Sequence, residues 1–196
     1  MSVLVVDDLL PQGYADQIEY DLMSTPFPWY YIDDVTSKSY GSNSGFAHVA
    51  YDLGKQPTEW YAFLKPIVYH IERAHGKRMT ELLRIRVGLL MPNGEVEYSH
   101  NTPHVDFTMP HYTACYYVTD SDGDTVVFNQ HLSSTGLTNI TEEALVNYAK
   151  DTQFTVDGQA SPKKNRVCIF DGLQFHASTK PKNNSRRIVI TVNYVS

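Results

Sequence analysis

Cysteine is scarce in this chain, with 2 in 196 residues, Cys115 and Cys168. Both fall in runs rich in β-branched and aromatic residues. They read as buried reduced thiols, which excludes a disulfide-stapled secreted scaffold. Positive charge is also short, Lys+Arg 16 against Asp+Glu 22, for a formal net charge of −6. That balance lacks the basic footprint with which proteins track phosphate backbones, so nucleic acid is a disfavoured partner. No apolar run approaches bilayer-spanning length, and no charged-then-apolar leader opens the sequence. The expectation is an untargeted cytoplasmic protein with no membrane partner. Internal repeats and low-complexity tracts are absent too, which removes solenoids and biased-composition tails.

What is present suits one domain over 1–196, long enough to bury a core. The front end, about 1–80, reads as helical. Pro11 suits a first helical turn, and Tyr14, Ile18 and Leu22 recur at helical spacing, giving a helix over about 11–24. Pro26, Pro28 and the cluster Trp29-Tyr30-Tyr31 stop it and lead into a strand; the aromatics read as core more readily than as a substrate mouth. A polar, Gly/Ser-rich loop is expected at Thr36–Gly45. A second helix is expected over Thr58–His75, stopped by Gly76.

From about 81 to 196 the pattern changes to short strands. They are expected at Leu83–Leu90, His104–Asp106, Thr113–Val118, Thr125–Phe128, Arg166–Phe170, Gln174–Ser178 and Arg187–Val195. Pro92-Asn93-Gly94, Asp122-Gly123 and Asp171-Gly172 supply turns between them. Many short strands with tight turns indicate a mainly β sandwich or barrel with supporting helices. Residues 133–163 break that rhythm, Thr141–Lys150 having helical spacing, and are expected to form an insertion.

The chemistry concentrates in His104-Val105-Asp106 and His176. On a strand, positions i and i+2 point the same way, so His104 and Asp106 converge while Val105 faces away. Two imidazoles and one carboxylate are the donor set of a non-haem Fe(II) centre that keeps three positions open on one face. His176 must then arrive from another strand. His100 and His111 flank the motif among 8 histidines, and default to structural roles. Gln174 and Ser178 share a strand face with His176 and read equally well as ordinary polar strand residues.

Downstream, Arg187, Val189, Thr191 and Asn193 form a mostly polar face on a strand whose other face, Ile188, Ile190, Val192 and Tyr194, is apolar. A polar face on a core-like strand suggests a ligand cavity. Arg187 in that phase could hold a carboxylate through a bidentate pair, and alternation turns Arg186 the other way.

Taken in order, these motifs make residues 81–196 resemble the Fe(II)/2-oxoglutarate-dependent oxygenases, and more closely their prolyl-4-hydroxylase-like branch. The resemblance implies a double-stranded β-helix, or jelly roll. It also implies an iron site at His104, Asp106 and His176, with Arg187 as the anchor of the 2-oxoglutarate cosubstrate. Tyr117 matches a tyrosine that hydrogen-bonds the cosubstrate's distal carboxylate, though a core role is as well supported; Tyr98 is a weaker candidate. The implied activity is a dioxygenase using Fe(II), 2-oxoglutarate and O2, hydroxylating a C–H bond with release of succinate and CO2. Its substrate would be a protein side chain, prolyl-like, or a small molecule. Asn193 stands where the nucleic-acid-demethylating branch has a second arginine, and Arg187 where collagen-type prolyl hydroxylases have lysine. Two other readings are a cupin-like metal-binding or structural module without catalysis, and a metal-dependent isomerase or hydrolase on the same barrel.

Overall fold

The computed structural model describes residues 3–36, 44–92, 100–183 and 186–196. Strands dominate, as the alternating back half requires. β1 (Leu4–Val6), β2 (Tyr30–Ile32), β3 (Gly45–Asp52), β4 (Glu81–Leu90), β5 (Tyr112–Tyr117), β8 (Arg166–Asp171) and β10 (Arg187–Val195) form one sheet in the order β1-β8-β5-β10-β4-β3-β2. β6 (Thr125–His131), β7 (Val156–Ala160) and β9 (Gln174–Ser178) form a second, in the order β7-β6-β9. Every pairing is antiparallel. The sheets face each other through Cys115, Tyr117, Cys168, Phe170 and Val189 of the first and Val127 and Ala160 of the second. Among the described residues no helix is long and apolar enough to cross a membrane.

The outer face of the large sheet carries the main core. Ile188, Ile190, Val192 and Tyr194 of β10 and Ile85 and Val87 of β4 pack against three helices. These are α1 (Gln12–Leu22), α2 (Trp60–Leu64) and α3 (Pro66–His75), which contribute Ile18, Leu22, Leu64, Ile67 and Ile71, all fully buried. The alternate residues of β10 and β4 therefore face the space between the sheets.

Three differences from the sequence expectation have local causes. The helix expected over 58–75 divides at Lys65, because Pro66 has no N–H to donate to the preceding turn and starts α3 instead. The front end is not purely helical: β1 pairs with β8 at one edge of the large sheet, and β2 and β3 extend the other. Residues 133–163 contain α4 (Glu142–Asp151), but their last part is β7, a strand of the small sheet rather than an insertion. α4 is capped by the Thr141 hydroxyl, which accepts from Ala144 N at 3.1 Å, and lays Leu145 and Tyr148 against the outer face of the small sheet. Most of the Thr36–Gly45 loop and Asn93-Gly94 lie outside the described residues.

Candidate metal centre

His104 does not sit in a strand of its own but forms a single bridge to His176 on β9. The two residues exchange both backbone hydrogen bonds, His104 N to His176 O at 3.0 Å and His176 N to His104 O at 2.9 Å. This places their side chains on one face, with ring centroids 4.6 Å apart. Each Nδ1 lies 3.1 Å from a carbonyl two residues earlier, Thr102 O for His104 and Gln174 O for His176. A carbonyl can only accept, so each Nδ1 carries the proton and each Nε2 offers its lone pair to the space between them.

Asp106 closes the triangle. Its Oδ2 lies 3.7 Å from His176 Nε2, and one donor atom from each of His104, Asp106 and His176 falls within 4.8 Å of the others. Val105 turns the opposite way, onto the small sheet's outer core. The carboxylate is oriented from behind. Arg84 on β4 donates to Oδ1 at 2.5 Å, and Asn193 on β10 donates to Oδ2 at 2.9 Å while accepting from Arg84 Nε at 3.2 Å. Burial alone would push the Asp106 carboxyl up, but Arg84 and the two imidazoles outweigh it and hold it well below the usual carboxylate range. Burial, and then the neighbouring His176, bring His104 down to about 4. Two imidazoles presenting Nε2 and an ionised carboxylate converging from one side fit a divalent metal with positions left open.

Beside this cluster is a cavity of about 80 Å³, lined by the three residues together with Arg86, Cys115, Thr125, Ser178, Arg187, Val189 and Thr191. Arg187 is 7% exposed and enters from β10 opposite Leu90. The register of β10 slips only between Asn193 and Tyr194, so Arg187 keeps phase with Val189 and Thr191. Its Nε donates to Gly123 O at 2.6 Å and its Nη2 to Thr125 Oγ1 at 2.8 Å. Thr125 also accepts from the Tyr117 hydroxyl at 2.8 Å, so its own proton is left for the cavity it lines. Tyr117 is fully buried behind Thr125, its hydroxyl within reach of Ala160 O and Cys168 Sγ, both at 3.2 Å, and it does not line the cavity. The Arg187 guanidinium lies 5.7 Å from the Tyr117 ring centre.

Arg186 is exposed and reaches Met23 Sδ at 3.6 Å, away from the cavity. Neither His100 nor His111 joins the triangle. His100 stacks edge-on against Phe128, and His111 packs on Phe107 with its Nε2 buried and without a hydrogen-bond partner. Ser178 lines the cavity and accepts from Asn101, whereas Gln174 donates to Phe128 O and Asp157. Trp29 packs on the main core, but Tyr30 and Tyr31 are each 61% exposed on the edge strand β2. Tyr98 lies outside the described residues. The free cysteines are both buried, directly opposite each other on β5 and β8. Sequence reasoning missed Arg84, Arg86 and Thr125. The signal for the arginines was the one used for β10, charged residues in phase within an apolar strand, here Leu83-Arg84-Ile85-Arg86-Val87.

No protein-family model matches this sequence, and no curated protein matches it in sequence. Solved structures do match the fold. The non-haem α-ketoglutarate-dependent epimerase SnoN from nogalamycin biosynthesis is 13% identical, with a TM-score of 0.64 over 100% of this chain and 78% of that one. The α-ketoglutarate-dependent carbocyclase SnoK of the same biosynthesis is 14% identical, with a TM-score of 0.64 over 98% and 79%. A Pseudomonas putida prolyl-4-hydroxylase is 11% identical, with a TM-score of 0.56 over 98% and 91%. At these identities the likeness is one of fold alone.

Proposed function

We propose that this chain is an Fe(II)- and 2-oxoglutarate-dependent dioxygenase built as a single jelly-roll domain and working in the cytoplasm. The observation that carries the reading is the pairing of the His104, Asp106 and His176 triangle with the buried guanidinium of Arg187 in one cavity. A catalytically silent module on the same barrel has no use for the second part of that pair. An isomerase or hydrolase that needs only the metal has none either.

His104 and His176 through Nε2, and Asp106 through its carboxylate, would hold the iron. Arg187 and the Thr125 hydroxyl would bind the far carboxylate of 2-oxoglutarate, with Tyr117 fixing Thr125 from behind. Fe(II) with 2-oxoglutarate and O2 supplies an oxidant that removes hydrogen from a C–H bond, the cosubstrate ending as succinate and CO2. The protein would supply orientation and an apolar inner wall, with Val189 and Cys115 lining the cavity between the sheets. Hydroxylation of a protein side chain or a small molecule is the outcome proposed. SnoN and SnoK are described as an epimerase and a carbocyclase, so the product of this chain is a separate measurement.

The test is anaerobic titration with Fe(II) and 2-oxoglutarate, watching for the weak visible charge-transfer band of an iron-bound 2-oxo acid, followed by succinate formation when O2 is admitted. His104→Ala and His176→Ala should each abolish the band and the succinate, because a three-ligand site has none to spare. Wild-type iron binding and turnover in both variants would overturn the reading.

A further inference from the structure

Arg86 is the one guanidinium of the cavity with no assigned role. It projects from β4 on the same face as Arg84, opposite Thr191 of β10, and lines the cavity alongside Arg187. Arg84 is committed to Asp106 and Asn193, and Arg187 to Gly123 and Thr125. Among the described residues Arg86 makes no hydrogen bond or ion pair. Its surroundings make that costly: it is half-buried, and burial followed by the nearby Arg84 depresses its pKa, with only Asp106 acting the other way. A Cβ at Gly88, the next residue on the same face, would lie at an ordinary contact distance of 3.8 Å from Arg86 Nη1, so the guanidinium lies along the strand beside the glycine.

Charge balance indicates what this position is for. The only carboxylate among the described residues lining the cavity is Asp106; Arg86 and Arg187 line the same cavity, and Arg84 binds Asp106 beside it. A divalent ion adds to the positive excess. A dicarboxylate cosubstrate offsets two charges, one at Arg187 and one at the metal, and still leaves the site positive with Arg86 unanswered. A partly buried cation held without a partner is stabilised by whatever anion enters beside it, and a planar guanidinium favours a carboxylate.

We propose that Arg86 is a second carboxylate-binding position of this cavity, held for the primary substrate, and that the substrate is therefore a carboxylate-bearing molecule. This rests on the dioxygenase reading, which assigns both cosubstrate carboxylates elsewhere.

Butyrate and its neutral isostere butyramide serve as probes, added to the Mn(II)-loaded protein with 2-oxoglutarate saturating, and binding is read by calorimetry and by the shift in melting midpoint. Butyrate should bind wild type at least about tenfold more tightly than butyramide. Arg86→Gln should erase that difference while changing the 2-oxoglutarate Kd by less than roughly threefold, and Arg86→Lys should recover part of it. Equal binding of the two probes to wild type overturns the proposal. So does a loss of 2-oxoglutarate affinity in Arg86→Gln as large as that in Arg187→Gln, which would give Arg86 to the cosubstrate. Should wild type not bind 2-oxoglutarate at all, the dioxygenase reading fails on its own. The probes still decide on Arg86, because butyrate selectivity must then vanish in Arg86→Gln and survive in Arg187→Gln.

Discussion

Adjacent arginines at the start of β10 have opposite surroundings. Arg187 follows Val189 and Thr191 into the cavity, while Arg186 precedes the strand and is exposed. Removing a buried guanidinium from a carboxylate costs about 2–5 kcal/mol, so Arg187→Ala should weaken 2-oxoglutarate by well over roughly tenfold. Arg186→Ala should change its Kd little; a crippled Arg186→Ala beside a normal Arg187→Ala would reverse the assignment. Thr125 and Tyr117 make a finer pair. Thr125→Val removes the free donor and should raise the 2-oxoglutarate Kd by the equivalent of about 0.5–1.5 kcal/mol. Tyr117→Phe, acting only through Thr125 and leaving buried polar neighbours, should lower the melting midpoint more than it alters that Kd. A Kd effect of Tyr117→Phe exceeding that of Thr125→Val would place its hydroxyl in direct contact with the ligand. His176 and Arg187 stood out in the sequence as polar residues in strand phase, and His104 and Asp106 as an alternating pair, although in the fold only His104 pairs, by a single bridge, and Asp106 follows it outside any strand. Thr125 did not, since a threonine at a strand start is ordinary and its value here comes from two donors that lie 8 and 62 residues away along the chain.

Elements position these groups through their ends and turns. The turn between β5 and β6 brings Gly123 under the Arg187 side chain, where its carbonyl accepts from Nε. A Cβ at Gly123 would meet Thr179 O at 2.9 Å, Arg187 Cδ at 3.0 Å and Pro181 N at 3.0 Å. Two of those neighbours are backbone, so moving the arginine alone relieves nothing and the turn itself must shift, taking with it the Gly123 carbonyl that holds Arg187 Nε. Gly123→Ala should weaken 2-oxoglutarate by about tenfold, with Mn(II) affinity unchanged, although no charge is altered; an unchanged Kd would mean that the shifted turn still holds the guanidinium in place. Such a contact is invisible in sequence, where Asp122-Gly123 reads as a turn signal alone. The same limit explains the missed strands. No strand was expected at β3 because Gly45-Phe46-Ala47-His48-Val49-Ala50 has no clean alternation, and what stabilises it is pairing with both β2 and β4. β7, with Asp157, Gly158 and Gln159, has little strand propensity of its own and owes its place to β6.

At the scale of the whole molecule, the sandwich separates two kinds of interior. The outer face of the large sheet is sealed by helices, and the space between the sheets holds the ionisable groups. Two histidines outside the metal triangle are also held by the fold. His75, at the end of α3, has its Nδ1 2.7 Å from the Tyr194 hydroxyl, and burial followed by nearby Lys77 lowers its pKa from 6.5. His111 is 4% exposed, and its pKa is likewise lowered, first by burial. Both are therefore neutral when folded, at pH values where the unfolded chain begins to bind protons. Between the folded values and 6.5 the unfolded state holds more protons, so stability is fully present above 6.5 and falls as the pH drops through it. The metal-free protein should accordingly show a lower urea midpoint at about pH 5.5 than at about pH 7.5. His75→Gln, which keeps a hydrogen-bonding partner for Tyr194 but cannot titrate, should flatten that dependence in proportion to its share, as should His111→Gln. An unaltered pH slope in both variants would mean that neither histidine is held neutral by the fold and that the acid sensitivity arises elsewhere.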